Sequence, residues 1–189
     1  MTTLNQIRRY SPCTEGWAKL LKHLGKTQGD DEPLSLLTIL ESNGLDDAIW
    51  CLRTEPTPGR IQRFALAIAR RVEHLSPAAK ACNDVTERYL DGTATKAEIE
   101  AAADTAYVAA YTASTAANAA AYAANAAAHA VVYATVDNSY ATGGAADAAT
   151  YAAADAATCA ANTADDASAR ANYAAERKAQ VQIFKEIFA

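Results

Sequence analysis

The feature that most constrains this chain is an alanine-rich stretch from about Lys96 to Ala179. Runs such as Ala119-Ala120-Ala121 and Ala126-Ala127-Ala128 are interrupted there by single polar or aromatic residues. Alanine loses no rotamer freedom in a helix and buries no polar atom, which makes it the best helix former. The stretch therefore reads as helix. Thr95 and Glu98 form a capping box at its start, and Glu98, Glu100 and Asp104 follow where the positive end of the helix dipole favours them. No glycine or proline occurs from there to about Val136, which permits one helix of about forty residues, roughly 60 Å long. Asp137-Asn138-Ser139 and Gly143-Gly144 supply a break, and a second helix is expected from about Gly144 into the C-terminus.

The interruptions are periodic. Tyr111, Thr115, Asn118, Tyr122, Asn125, His129, Val132 and Val136 alternate steps of four and three, the spacing of one helical stripe. Tyr151, Asp155, Thr158, Asn162, Asp166, Tyr173 and Gln180 form a comparable stripe in the second helix, and Tyr111, Tyr122 and Tyr133 stand eleven apart. The expected architecture is all-α: an N-terminal multi-helix module, residues 1–92, followed by a long Ala-rich antiparallel helical hairpin, residues 93–189. The hairpin is expected to pack through alanine, with the ridges at its edges or outer side. Two readings of the ridge stay open. The tyrosines widen a thin core with their hydroxyls at the solvent boundary, or the ridge is a recognition strip. On the second reading the partner-binding residues are Tyr111, Asn118, Tyr122, Asn125, His129, Tyr133, Tyr151 and Asp155.

Charge and cysteine usage narrow the classes of function. The net charge is −5, and no Lys or Arg lies between Lys96 and Arg170. A nucleic-acid groove needs such cations to displace counterions, so direct nucleic-acid binding is not expected there. Cys13, Cys51, Cys82 and Cys159 contain no CxxC pair and no signal peptide precedes them, which reads as reduced thiols in a cytoplasmic protein. Asn, Thr, Asp and Tyr are too frequent in the alanine tract for a membrane span.

The first half reads as five or six short helices without a strand. Thr3 with Gln6 caps a helix ending near Tyr10, and a second runs from Thr14 through Trp17, Leu20, Leu21 and Leu24 to Gly25. Leu34 to Ser42 closes at Gly44, and Leu45 to Arg53 carries Ile49, Trp50 and Leu52. Ile61 to Leu75 is amphipathic, and Ser76-Pro77 caps the helix that ends at Gly92. The acids Asp30, Asp31 and Glu32, with Asp46 and Asp47 beyond them, fit dipole partners and caps better than a cation or phosphate-mimic site. Arg60, Arg63, Arg70 and Arg71 fit a solvated helix face. His23, His74 and His129 stand on separate helices with no second ligand at metal spacing. GxSxG, P-loop and GxGxxG motifs do not occur, so no catalytic residue, metal or cofactor is expected and the chain reads as a non-enzyme.

The words Ser11-Pro12-Cys13, Gly16-Trp17-Ala18-Lys19-Leu20-Leu21, Leu24-Gly25-Lys26-Thr27, Asp30-Asp31-Glu32-Pro33-Leu34 and Ser42 through Arg53 resemble the N-terminal module of a group of uncharacterised phage and prophage proteins. In those too, segments similar to Ala69 through Leu75 and Glu87 through Gly92 lead into an alanine-rich tail. More distantly, the chain is similar to a group of bacterial immunity proteins. Neither group supplies catalytic residues to carry over. A mobile-element context implies a cytoplasmic protein, in the host cell, that binds another protein. The leading expectation is an inhibitor of a host defence protein or complex, such as an anti-CRISPR protein, acting by steric occlusion. A structural protein forming a homodimer through its alanine faces, or a toxin-immunity protein, is the alternative. Ice binding fits less well, because the eleven-residue repeat carries Tyr rather than Thr.

Overall fold

The computed structural model describes residues 1–112, 115–132, 139–160 and 166–189. Among them the chain forms ten α-helices and no strand, with one isolated bridge between Thr2 and Leu34, so the fold is all-α.

The N-terminal helices follow their local signals. Helix α1, Leu4–Arg8, starts where the Thr3 hydroxyl accepts from the Gln6 amide at 3.1 Å. Helix α2, Thr14–His23, is capped by the Cys13 sulfur, which accepts from the Gly16 amide. Helices α3, Leu36–Asn43, and α4, Leu45–Trp50, meet at Gly44, whose φ of 100° favours a residue without a Cβ. Helix α4 runs on into a 3-10 turn at Cys51–Thr54. Helix α5, Pro58–Arg70, begins with proline in its first turn, and α6, Pro77–Leu90, is capped by the Ser76 hydroxyl.

Among the described residues the alanine-rich half holds four helices rather than two long ones: α7, Lys96–Thr112; α8, Thr115–Val132; α9, Ser139–Ala160; and α10, Asp166–Phe188. The capping box that opens α7 is formed in both directions. Glu98 Oε2 accepts from the Thr95 amide at 2.8 Å and the Glu98 amide donates to the Thr95 hydroxyl at 3.3 Å. The expected forty-residue helix does not exist, because α7 and α8 lie antiparallel against each other. Asn118 Nδ2 donates to the Ala110 carbonyl at 2.5 Å and Asn125 Nδ2 to that of Ala103 at 2.9 Å. The chain reverses between the end of α7 at Thr112 and the start of α8 at Thr115. Folding back covers alanine that a straight helix would leave in water. Gly143 and Gly144, expected to break the chain, lie inside α9. A Cβ on Gly143 would stand 3.2 Å from the Arg53 amide nitrogen, so the missing side chain lets α9 approach the 3-10 turn at 51–54 closely.

Helix α8 is the central rod. Every residue from Ala116 to Val132 is buried or half-buried, and α5, α6, α7 and α9 all pack on it. Alanine suits that position, since small side chains let helix axes approach toward the short end of the usual 8–10 Å. Helix α10 closes the other side against α9, α5 and α3. Its Phe184 and Phe188 meet Phe64 of α5 edge-on, with ring centroids 5.5 and 5.8 Å away. One core runs from Leu4 to Phe188 and includes large side chains of the first half, alanines of the second and the α10 rings.

The arginines expected on a solvated face tie these layers together. Arg60 donates twice to the Ile187 carbonyl, at 2.9 and 2.6 Å. Arg71 Nε is 2.9 Å from the buried Glu176 carboxylate, and Gln180, wholly buried beside it, donates to the Thr150 carbonyl at 3.0 Å. Arg70 bridges Glu73, Asp84 and Glu87. The acidic turn is structural as well, with Lys26 paired to Asp30 and Glu32.

Candidate functional site

The surface feature that no packing need explains lies on the α7–α8 pair. Tyr107 and Tyr111, one turn apart on α7, meet at a centroid distance of 5.1 Å, and Tyr122 of α8 completes a trio at 5.9 and 6.3 Å from them. All three contacts are edge-to-face, the arrangement in which the positive ring edge meets the negative ring face. The Tyr107 and Tyr111 hydroxyls share a hydrogen bond of 2.6 Å. That bond, with the neighbouring hydroxyl's charge and some desolvation, raises the Tyr107 phenol above its ordinary value. Tyr107 is 43% exposed, Val108 63% and Tyr111 66%, while Tyr122 is half-buried beneath them.

The predicted strip thus divides. Tyr111 and Tyr122, expected on one ridge of one helix, stand on two helices and face each other. Asn118 and Asn125 line the seam between those helices, half-buried, with their amides given to α7 carbonyls. His129 is half-buried on α8 and Asp155 is exposed on α9. Tyr133 lies outside the described residues. Tyr151 is exposed on α9, with the Arg177 guanidinium 5.4 Å from its ring centre. Arg177 also pairs with Asp46 of α4. Desolvation, then the charges of Asp46 and Asp147, raises the Tyr151 phenol, and desolvation followed by Asp46 raises Asp147. The structure brings Tyr111 and Tyr122 together and leaves Tyr151 and Asp155 on another helix. Tyr107 and Val108 escaped the sequence reading, although Tyr107 stands four residues before Tyr111, a spacing that brings two side chains together on a helix.

What this surface can do chemically is make contacts. Its hydroxyls give and accept hydrogen bonds, and its rings offer apolar area that is already ordered by mutual packing. The buried thiols are poor nucleophiles at neutral pH, because burial pushes Cys51 up to about 12 and Cys82 up to about 11. Among the described residues, no group of three or more His, Cys, Asp or Glu side chains could hold a metal ion, and no helix is long and apolar enough to cross a membrane. Comparison with protein families, with curated proteins and with solved structures returns no match for the chain.

Proposed function

We propose that this chain is a protein-binding protein whose docking face is the Tyr107, Val108 and Tyr111 patch, with Tyr122 as its floor. One observation carries the reading: three mutually packed tyrosines with an exposed valine sit on the rim of the bundle. Tyrosine is enriched at interface hot spots because it adds large contact area for few rotatable bonds. The buried alanines of α8 are covered by the chain's own helices, so they offer no free face to a partner, and the large exposed side chains of α7 are Tyr107, Val108 and Tyr111.

The partner we propose is a host defence complex, which the chain inhibits by sitting on its working surface. The support is the resemblance of the N-terminal words to phage and prophage proteins, together with a surface suited to tight contact. A toxin bound by an immunity protein would use the same face. The test is affinity capture from a bacterial lysate with the wild type and with a Tyr107→Ser/Tyr111→Ser variant, checked by circular dichroism. Stoichiometric capture of one defence complex, lost in the folded variant, supports the proposal. Equal capture by both proteins removes the patch from the interface. A folded wild type that captures nothing and sediments as a dimer would replace the inhibitor with self-association.

A further inference from the structure

A cavity of about 110 Å³ opens between α1, α2, α3 and α4, on elements that the tyrosine face does not use. The chain has two tryptophans, Trp17 and Trp50, and both line it, with Leu20 and Ile39 adding apolar wall. One carboxylate, that of Asp47, stands in this lining. Its Oδ2 accepts from Asn43 Nδ2 at 2.7 Å, and the same amide donates to the Gly16 carbonyl at 2.8 Å, which fixes the carboxylate's position. A Cβ on Gly16 would stand 2.7 Å from Asp47 Oδ2, so the bare glycine is what leaves room for the carboxylate. Among the described residues Asp47 makes no ion pair, whereas its neighbour Asp46 is paired with Arg177. Lys19, the nearby ammonium, donates instead to the Asn43 carbonyl at 3.3 Å.

From this geometry we infer that the cavity is a binding site for an organic ammonium group carried on a short apolar stem. The carboxylate supplies the counter-charge and the indole rings attract a cation through their quadrupoles. Trp50 already holds one cation this way, the Arg53 guanidinium 4.0 Å from its ring centre. Leu20 and Ile39 receive the stem. An anion would be repelled by Asp47, and a neutral apolar guest would desolvate the carboxylate without pairing it. The volume is well below the roughly 300–1,000 Å³ of sites for drug-sized ligands, so the site takes a head group such as the end of a lysine side chain or a small free amine.

The two tryptophans make the experiment direct, because all indole emission comes from the cavity wall. The folded chain is titrated at neutral pH in amine-free phosphate buffer with n-butylammonium, n-butanol and butyrate, following tryptophan fluorescence. The expected result is saturable binding of the ammonium at least about tenfold tighter than the alcohol, a difference of about 1.4 kcal/mol. Butyrate should give no saturable change, and Asp47→Asn should bring ammonium and alcohol to equal affinity. Equal affinity for the two in the wild type, or no saturable change with the ammonium up to about 0.1 M, overturns the inference. The wild-type ratio is the deciding readout even where the variant fails to fold. A further arm with Nα-acetyl-lysine methylamide distinguishes the sources. Tighter binding than butylammonium assigns a lysine side chain of a protein, and equal or weaker binding beside a positive butylammonium arm assigns a free amine.

Discussion

Helices α5 and α8 are both wrapped by other helices, yet they reach burial with opposite side-chain sizes. Helix α5 hides Ile61, Phe64, Leu66 and Ile68, whereas the buried residues of α8 are seven alanines and Val131. In α5 the gain is transfer of large apolar groups from water, at about 0.8 kcal/mol for each buried CH₂. In α8 each residue transfers little, but loses no side-chain entropy and brings main chain close to main chain, where many dispersion contacts are made. The comparison teaches that burial alone does not say what a helix will tolerate. A wide core fails when a group is removed, and a narrow one fails when a group is added.

The largest expected effect breaks the wide side. Phe64→Ala removes the ring that both Phe184 and Phe188 contact, and unfolding in urea should show a loss of about 3–5 kcal/mol. On the narrow side, Ala127→Leu adds volume at a fully buried position, with an expected loss of about 2–3 kcal/mol by overpacking. The reciprocal change sharpens the contrast, because at an exposed position such as Ala101 the same Ala→Leu substitution should alter the urea midpoint hardly at all. Asn125→Ala removes an amide that holds α7 to α8, and should lower stability by about 1 kcal/mol in the same assay.

A slight effect, read against pH, concerns charge. Burial and Asp46 hold the Asp147 carboxyl above its ordinary value, so folding favours its protonated form. That contribution is fully present below the unfolded value near 3.8 and is lost as pH rises through the raised folded value. Asp147→Asn cannot ionise, and should therefore raise the melting temperature slightly at pH 7 and give no gain at pH 3. A gain of equal size at both pH values would show that the carboxylate's charge is not the cause.

Features set by neighbours in sequence were legible, and features set by distant packing were not. The Thr95 and Glu98 capping box, the Ser76 cap and the glycine between α3 and α4 each need only a few adjacent residues, and each stands where the sequence places it. The reversal after Thr112 was not legible, because helix propensity is high on both sides of it and only tertiary burial favours the turn. Gly143 misled for a related reason. Its lack of a side chain serves a contact with Arg53, ninety residues earlier, which local rules cannot register. At the candidate site, the stripe of Tyr111, Asn118, Tyr122 and Asn125 is real as a period, but part of it lines a seam between helices. The sequence also holds Trp17, Asn43, Asp47 and Trp50 in plain view, and only the fold brings them around one cavity.

The closure of Phe64 by α10 has a consequence for how the molecule forms. Arg60, one turn before Phe64, is joined to Ile187 across 127 residues of chain, so the widest part of the core is completed by contacts of very long sequence separation. Such contacts delay folding, because chain entropy is lost before they form. During synthesis the phenyl face of α5 emerges long before its cover and stays open while the alanine helices are made. That interval is when a sticky half-built core is exposed to aggregation and to chaperones, and the alanine tract, with few large apolar groups of its own, adds little to the hazard while it lasts.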